Sequence, residues 1–136
     1  MKMQECIPVE HEKYGFLWGR DCIIAESILQ KNNTLTIEAE INGELASKIN
    51  KDVDILVNIC FKDVISYYEC ELDTYEAIKN APKCNGREVF WIVNNSEWLK
   101  ALPVRSDYDK SSYNHYVLYE YDRVFNIFAK GYEINE

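Results

Sequence analysis

The stretch Thr34-Leu35-Thr36-Ile37-Glu38-Ala39-Glu40-Ile41 decides the fold class. Leu35, Ile37, Ala39 and Ile41 alternate with Thr34, Thr36, Glu38 and Glu40. That two-residue period is a strand with one apolar face and one charged face. The segment before it, Cys22 to Gln30, is also strand-like, carrying Ile23, Ile24, Ile28 and Leu29. Lys31-Asn32-Asn33 lies between the two. Asn tolerates positive φ, so the spacing predicts a tight hairpin. Asn42-Gly43 marks a turn after the second strand.

The same period recurs downstream. Val53, Ile55, Val57, Ile59 and Phe61 share one face of a strand over 53–61. Lys62-Asp63 leads into 64–72, where Val64, Ser66, Tyr68, Cys70 and Leu72 share a face. This pair reads as a second hairpin or as one long strand bent at a bulge. Asp73 is placed to cap a short helix running to about Asn80. Val89-Phe90-Trp91-Ile92-Val93 is apolar on both faces, which predicts a central strand. Asn94-Asn95-Ser96 offers helix caps, and Ser96 to Leu102 reads as a two-turn helix with Trp98, Leu99 and Leu102 inward, stopped by Pro103. Residues 104–114 are a polar loop. His115 to Tyr121 and Val124 to Ala129 are the last two strands, turning at Asp122-Arg123, and Lys130-Gly131 precedes a short tail. The sum is a mainly β chain, with a minor α part: an antiparallel β-sandwich or barrel of seven to eight strands with one or two short helices. Helices long enough for parallel crossovers are lacking.

Composition bounds the function. The chain has 136 residues, 15 Lys and Arg, 23 Asp and Glu, and a formal net charge of −8. One globular domain over 1–136 is the expectation at this length. Such a chain buries roughly two-thirds of its unfolded surface and needs no metal or disulfide to fold. The acidic balance disfavours nucleic acid. No apolar run reaches the ~18 residues of a membrane helix. Met1 to Pro8 lacks the apolar core of a signal peptide, so the cytoplasm is the expected compartment and no membrane partner is expected.

Cys6, Cys22, Cys60, Cys70 and Cys84 form no C-x-x-C pair, and their number is odd. They read as small buried hydrophobes in a reducing compartment. With His11 and His115 far apart, no metal site or other cofactor is expected. No phosphate-binding glycine loop, nucleophile elbow or zinc-helix motif is present. Glu38 with Glu40, and Glu69 with Glu71, read as solvated strand faces that block edge pairing. Trp18, Trp91 and Trp98 read as core. Tyr14 to Gly19 is an aromatic run between glycines, more readily core than an edge strand or a stacking site.

The most suggestive stretch is Tyr108 to Asp122, with six aromatic or imidazole rings and three acids. On a strand, Tyr113, His115, Val117, Tyr119 and Tyr121 fall on one side; Tyr116, Leu118 and Glu120 fall on the other. Cross-strand packing is the first reading, because aromatics suit sheets. The functional reading is a partner-binding surface made of Tyr113, His115, Tyr119, Glu120, Tyr121 and Asp122, since tyrosine has an apolar body and a polar tip. No catalytic residue is assigned.

Phe61 with Val64, then Ser96-Glu97-Trp98-Leu99, then His115 to Phe125, form a sequence of motifs. In these the chain resembles small uncharacterised bacterial β-rich domains, some of which resemble immunity proteins of toxin systems. The resemblance covers about two-thirds of the chain and transfers no catalytic residue. It implies a non-enzymatic cytoplasmic domain that binds another protein, in its sharpest form an immunity-type inhibitor of a basic toxin. Opposite charge would speed such an encounter. The acids, however, are spread evenly: residues 1–50, 51–100 and 101–136 carry net −3, −3 and −2. Two further readings stand beside it. One is a small-molecule-binding barrel with a Tyr- and Trp-lined cavity. The other, the least favoured, is a hydrolase using His115 with Glu120 or Asp122. A homodimer through a Tyr-rich edge strand is a further expectation.

Overall fold

Two antiparallel sheets pack face to face in the computed structural model, which describes residues 3–136. Met1 and Lys2, the start of the stretch read for a leader, lie outside the described residues. One sheet has five strands in the order β1 (Glu5–Pro8), β6 (Phe90–Asn94), β7 (Asn114–Tyr119), β8 (Arg123–Ala129), β5 (Ser66–Glu71). The other has four, in the order β2 (Ile23–Lys31), β3 (Thr34–Asn42), β4 (Asp54–Lys62), β9 (Gly131–Asn135). The sheets do not close on each other, so the arrangement is a sandwich and not a barrel.

The hairpin read around Thr34–Ile41 forms as expected. β2 and β3 pair from Ile23↔Ile41 to Lys31↔Thr34, and Asn32 turns the chain at φ 56°. The alternation then fixes which side is wet. Leu35, Ile37, Ala39 and Ile41 are buried, while Glu38 is exposed and Glu40 half-exposed. β4 continues the pattern with Val57, Ile59 and Phe61 inward and Leu56 outward.

The step from β4 to β5 is neither a hairpin nor a bent strand. β4 pairs with β3 and β9, and β5 pairs with β8 in the other sheet. Asp63, at φ 53°, turns the chain across the sandwich edge. Val64 N–H donates to Asn33 O at 2.7 Å and Ile65 N–H to Phe128 O at 2.9 Å, so the corner touches both sheets. Two short strands raise the count to nine. β1 pairs with β6, and the C-terminal segment read as a tail is β9, paired to β4. Tyr14 to Gly19 forms no strand: Tyr14 and Leu17 are core, and only isolated bridges join the run to Ala46 and Glu88.

The five-stranded sheet is covered on both faces. Inward, it shares the inter-sheet core with the four-stranded sheet, through Phe90, Tyr116, Leu118, Phe125 and Ile127. Outward, Trp91, Val93, Val117, Val124 and Cys70 form a second cluster. Helix α1 (Leu72–Ala77) contributes Tyr75 to its cover, the following segment Ala81 and Cys84, and α2 (Glu97–Ala101) Trp98. Double burial explains why Val89 to Val93 is apolar on both faces. α1 starts two residues earlier than the cap at Asp73 predicts. Its N-cap is Glu71, which makes no side-chain cap bond, and Leu72 N–H instead donates to Asp122 O at 2.8 Å. A bond to the β7–β8 turn thus sets the helix start, not a local cap.

Candidate functional site

β7 carries two of the six residues read as a partner surface, His115 and Tyr119; Tyr113 precedes it, and the turn toward β8 carries Glu120, Tyr121 and Asp122. The structure does not bring them together. Tyr113 lies at one end of β7, beneath Lys130 Nζ at 5.5 Å from its ring centroid. Tyr121 and Asp122 lie at the other end and are exposed. There, Arg20 stacks its guanidinium 4.4 Å from the Tyr121 centroid and reaches Asp122 Oδ1 at 3.5 Å.

His115 sits between the ends and is fully buried. β7 alternates, so His115 points to the outer cluster, between the rings of Phe128 (centroids 4.5 Å) and Trp98 (6.2 Å, parallel within 8°). Its Nδ1 lies 2.6 Å from Ser96 Oγ and its Nε2 lies 2.6 Å from Asn126 Oδ1. Ser96 is the N-cap of α2, and its Oγ already accepts from Leu99 N–H at 3.0 Å. The hydroxyl proton is therefore free to donate to Nδ1. Nε2 then carries the ring proton and donates to Asn126 Oδ1. Burial lowers the His115 pKa to about 4, only partly opposed by the Asn126 bond. The imidazole is neutral at pH 7. Ser–His–Asn is a familiar catalytic composition, but here the serine is buried at 4% exposure and committed to a helix cap. Neither Glu120 nor Asp122 bonds His115, the arrangement a hydrolase on this histidine would need.

Glu120 is also buried, at 6%. Its carboxylate accepts from Asp122 N–H at 2.6 Å and from Ala25 N–H at 2.9 Å. Ala25 begins the bulge in β2, so one side chain closes the β7–β8 turn and ties it to the opposite sheet. Charge at this position is structural. Glu120→Ala is expected to cost about 2 kcal/mol, because a charge-assisted acceptor is lost from two backbone donors. Asp122→Lys is expected to stay within about 0.5 kcal/mol. Urea unfolding of the two variants beside wild type separates these outcomes.

Tyr119 is half-buried and works as a strut. Its Oη accepts from Cys84 N–H at 3.3 Å and its ring meets Tyr75 edge to face at 6.1 Å. Burial raises the pKa values of both tyrosines, so each stays a phenol. Of the six residues, Tyr113, Tyr121 and Asp122 remain available to a partner, at two separate places.

A different surface stands out. The outer face of the four-stranded sheet carries Ile24, Glu40 and Leu56 in one cross-strand row. Glu38 lies in the next row and Leu29 beyond it, and Asp54 flanks Glu40 on β4. Leu56 is 70% exposed, Leu29 57% and Ile24 44%. The Glu40 carboxyl is held above the usual carboxylate range, first by the Asp54 charge, then by partial burial, the Asp54 hydrogen bond and Glu26. Among the described residues, none of Glu26, Glu38, Glu40 and Asp54 pairs with a Lys or Arg. β3 lies inside its sheet, so Glu38 and Glu40 do not guard an edge, as the sequence reading supposed. Glu69 and Glu71, on edge strand β5, fit that reading, with Glu69 paired to Arg123.

The cavities do not resemble a Tyr- and Trp-lined interior. One groove of about 760 Å³ runs along the surface between β2 and the β7–β8 turn, lined among others by Arg20, Ile24, Glu26, Glu71, Tyr121 and Arg123. Among the described residues, no three His, Cys, Asp or Glu side chains gather as metal ligands. Nor is any helix there long and apolar enough to cross a membrane.

Fold and surface together define a two-sheet antiparallel sandwich with a buried polar network and an acidic-apolar outer face. Compared with models of known families, with curated proteins and with solved structures, the chain matches none.

Proposed function

We propose that this domain acts without catalysis by binding a basic protein through the outer face of its four-stranded sheet. Immunity-type inhibition of a cationic toxin is the specific form of this reading. One observation carries it: the interleaving of Ile24, Leu29 and Leu56 with Glu38, Glu40 and Asp54 on a rigid sheet. Exposed apolar side chains supply the area that association removes from water. Like charges crowded around Glu40 are relieved by lysines or arginines arriving opposite them. The even charge along the chain hides this, because Glu26, Glu38, Glu40 and Asp54 come together only through the β2–β3–β4 register.

Capture from the native host with the intact chain, followed by purification of the captured protein, supplies the ligand for the test. Leu56→Arg combined with Glu40→Lys is expected to weaken its binding at least tenfold, and the wild-type on-rate to fall steeply between low and physiological salt. Tyr113→Ala is expected to leave binding within a factor of two. Equal affinity for wild type and the double variant would overturn the reading, as would failure to capture any basic protein.

A further inference from the structure

We propose that Cys6 and Cys84 are a site of intramolecular disulfide formation, which fastens the N-terminal edge strand to the segment leading into β6. The two thiols are separate in this structure, yet their sulfurs lie 3.0 Å apart. That is inside the roughly 3.5–4.0 Å of ordinary non-bonded heavy-atom contact. A disulfide needs about 2.05 Å, so bonding requires an approach of only about 1 Å.

The placement follows from the sheet and from two tyrosines. Cys6 is opposite Val93 in the β1–β6 ladder, and its side chain packs on the outer cluster. The 82–84 segment is held from two sides: Tyr75 Oη donates to Pro82 O at 2.6 Å, and Cys84 N–H donates to Tyr119 Oη. Neither cysteine therefore depends on a free loop to reach the other. Both are half-buried, so a small reagent can approach. Cys70 belongs to the same cluster but is buried.

The reaction is thiol–disulfide exchange with a small-molecule disulfide such as glutathione disulfide. Burial and the neighbouring Cys6 thiol push the Cys84 thiol up, so its thiolate is scarce. Cys6 gives its proton to solvent and its sulfur bonds one glutathione sulfur, while the other glutathione sulfur leaves as a thiolate. Cys84 loses its proton to solvent and attacks the Cys6 sulfur of the mixed disulfide, expelling the second glutathione. One small disulfide is reduced to two thiols and the protein loses two thiols.

The bond closes a loop between positions 78 residues apart, which restricts the unfolded chain far more than the folded one. The native full chain is incubated with glutathione disulfide, alkylated, and mapped without reduction by peptide mass spectrometry. The expected result is one cross-linked pair holding Cys6 and Cys84, and a Tm higher by on the order of 10 °C. Cys70→Ser is expected to keep both effects. Cys6→Ser and Cys84→Ser are each expected to lose both. A cross-link between any other cysteines would overturn the assignment. So would prolonged oxidation that leaves Cys6 and Cys84 alkylated or singly glutathionylated.

Discussion

Phe61→Ala is expected to destabilise the protein by about 3–5 kcal/mol and to lower its Tm by roughly 10–20 °C. Phe61 is fully buried on β4, and its ring is 5.3 Å from Tyr116, 6.1 Å from Phe90 and 6.3 Å from Tyr132. Phe90 and Tyr116 belong to the five-stranded sheet, and Tyr132 to β9. Truncation therefore opens a void where both sheets and the last strand meet, and rings held by their own strands cannot collapse into it. Phe61→Leu keeps most of the volume and is expected to cost under about 2 kcal/mol. Leu56→Ala, five residues earlier on the opposite face, is expected to fall within about 0.5 kcal/mol. Urea unfolding with a shared m-value reads all three. A Phe61→Ala cost below 1 kcal/mol would mean that the sheets do not meet at this cluster.

Leu56 and Phe61 also show how far the sequence reaches. A period of two states which side chains share a face, and it did so over β3, β4 and β7. It does not state which strand lies alongside. Val64 to Leu72 has the right alternation for a partner of β4, yet Asp63 carries it to the other sheet, because Val64 and Ile65 find backbone partners at Asn33 and Phe128. β1 and β9 have four and five residues. So few positions give little alternation to read, and their pairing with β6 and β4 creates them as strands. Turn chemistry was more informative: the Lys31–Asn33 turn and a helix cap within Asn94–Ser96 were both legible, since each acts within three residues, and the structure places them at Asn32 and Ser96.

The candidate site was less legible for the same reason. The alternation holds over β7 and ends at Tyr119, with Tyr121 in the turn, and the strand's burial is what the pattern omits. A face bearing Tyr and His looks the same in sequence whether water or a helix covers it. Here α2 and the 78–84 segment cover it, so His115 and Tyr119 brace the fold. The exposed acidic-apolar face instead lies on strands whose glutamates looked like routine surface. The signal present in sequence was Leu56, an apolar residue on the wet face of a strand between Asp54 and Asn58.

His115 gives the second large effect, through pH. The unfolded histidine titrates near pH 6.5, and the folded one near pH 4. Between those values the unfolded chain binds a proton that the folded chain refuses, so stability falls as pH falls. The contribution is complete above about pH 6.5 and is lost progressively down to about pH 4, amounting to about 3 kcal/mol. Among the described residues, no charged side chain faces the ring to offset this. Its surroundings are Trp98, Phe128, the Ser96 hydroxyl and the Asn126 amide, whose Nδ2 is buried without a hydrogen-bond partner. His115→Gln will lower stability at every pH by disturbing this network, so the decisive readout is the slope. Unfolding free energies of wild type and variant at pH 7.5, 6, 5 and 4 are expected to converge toward acid, because the carboxylates and His11 titrate alike in both. In the folded wild type, ¹⁵N shifts of the imidazole are expected to report a neutral ring protonated at Nε2 down to about pH 5. Parallel stability profiles, or an imidazole that titrates near pH 6.5 while the protein stays folded, would show that the ring is not sealed between the sheet and α2.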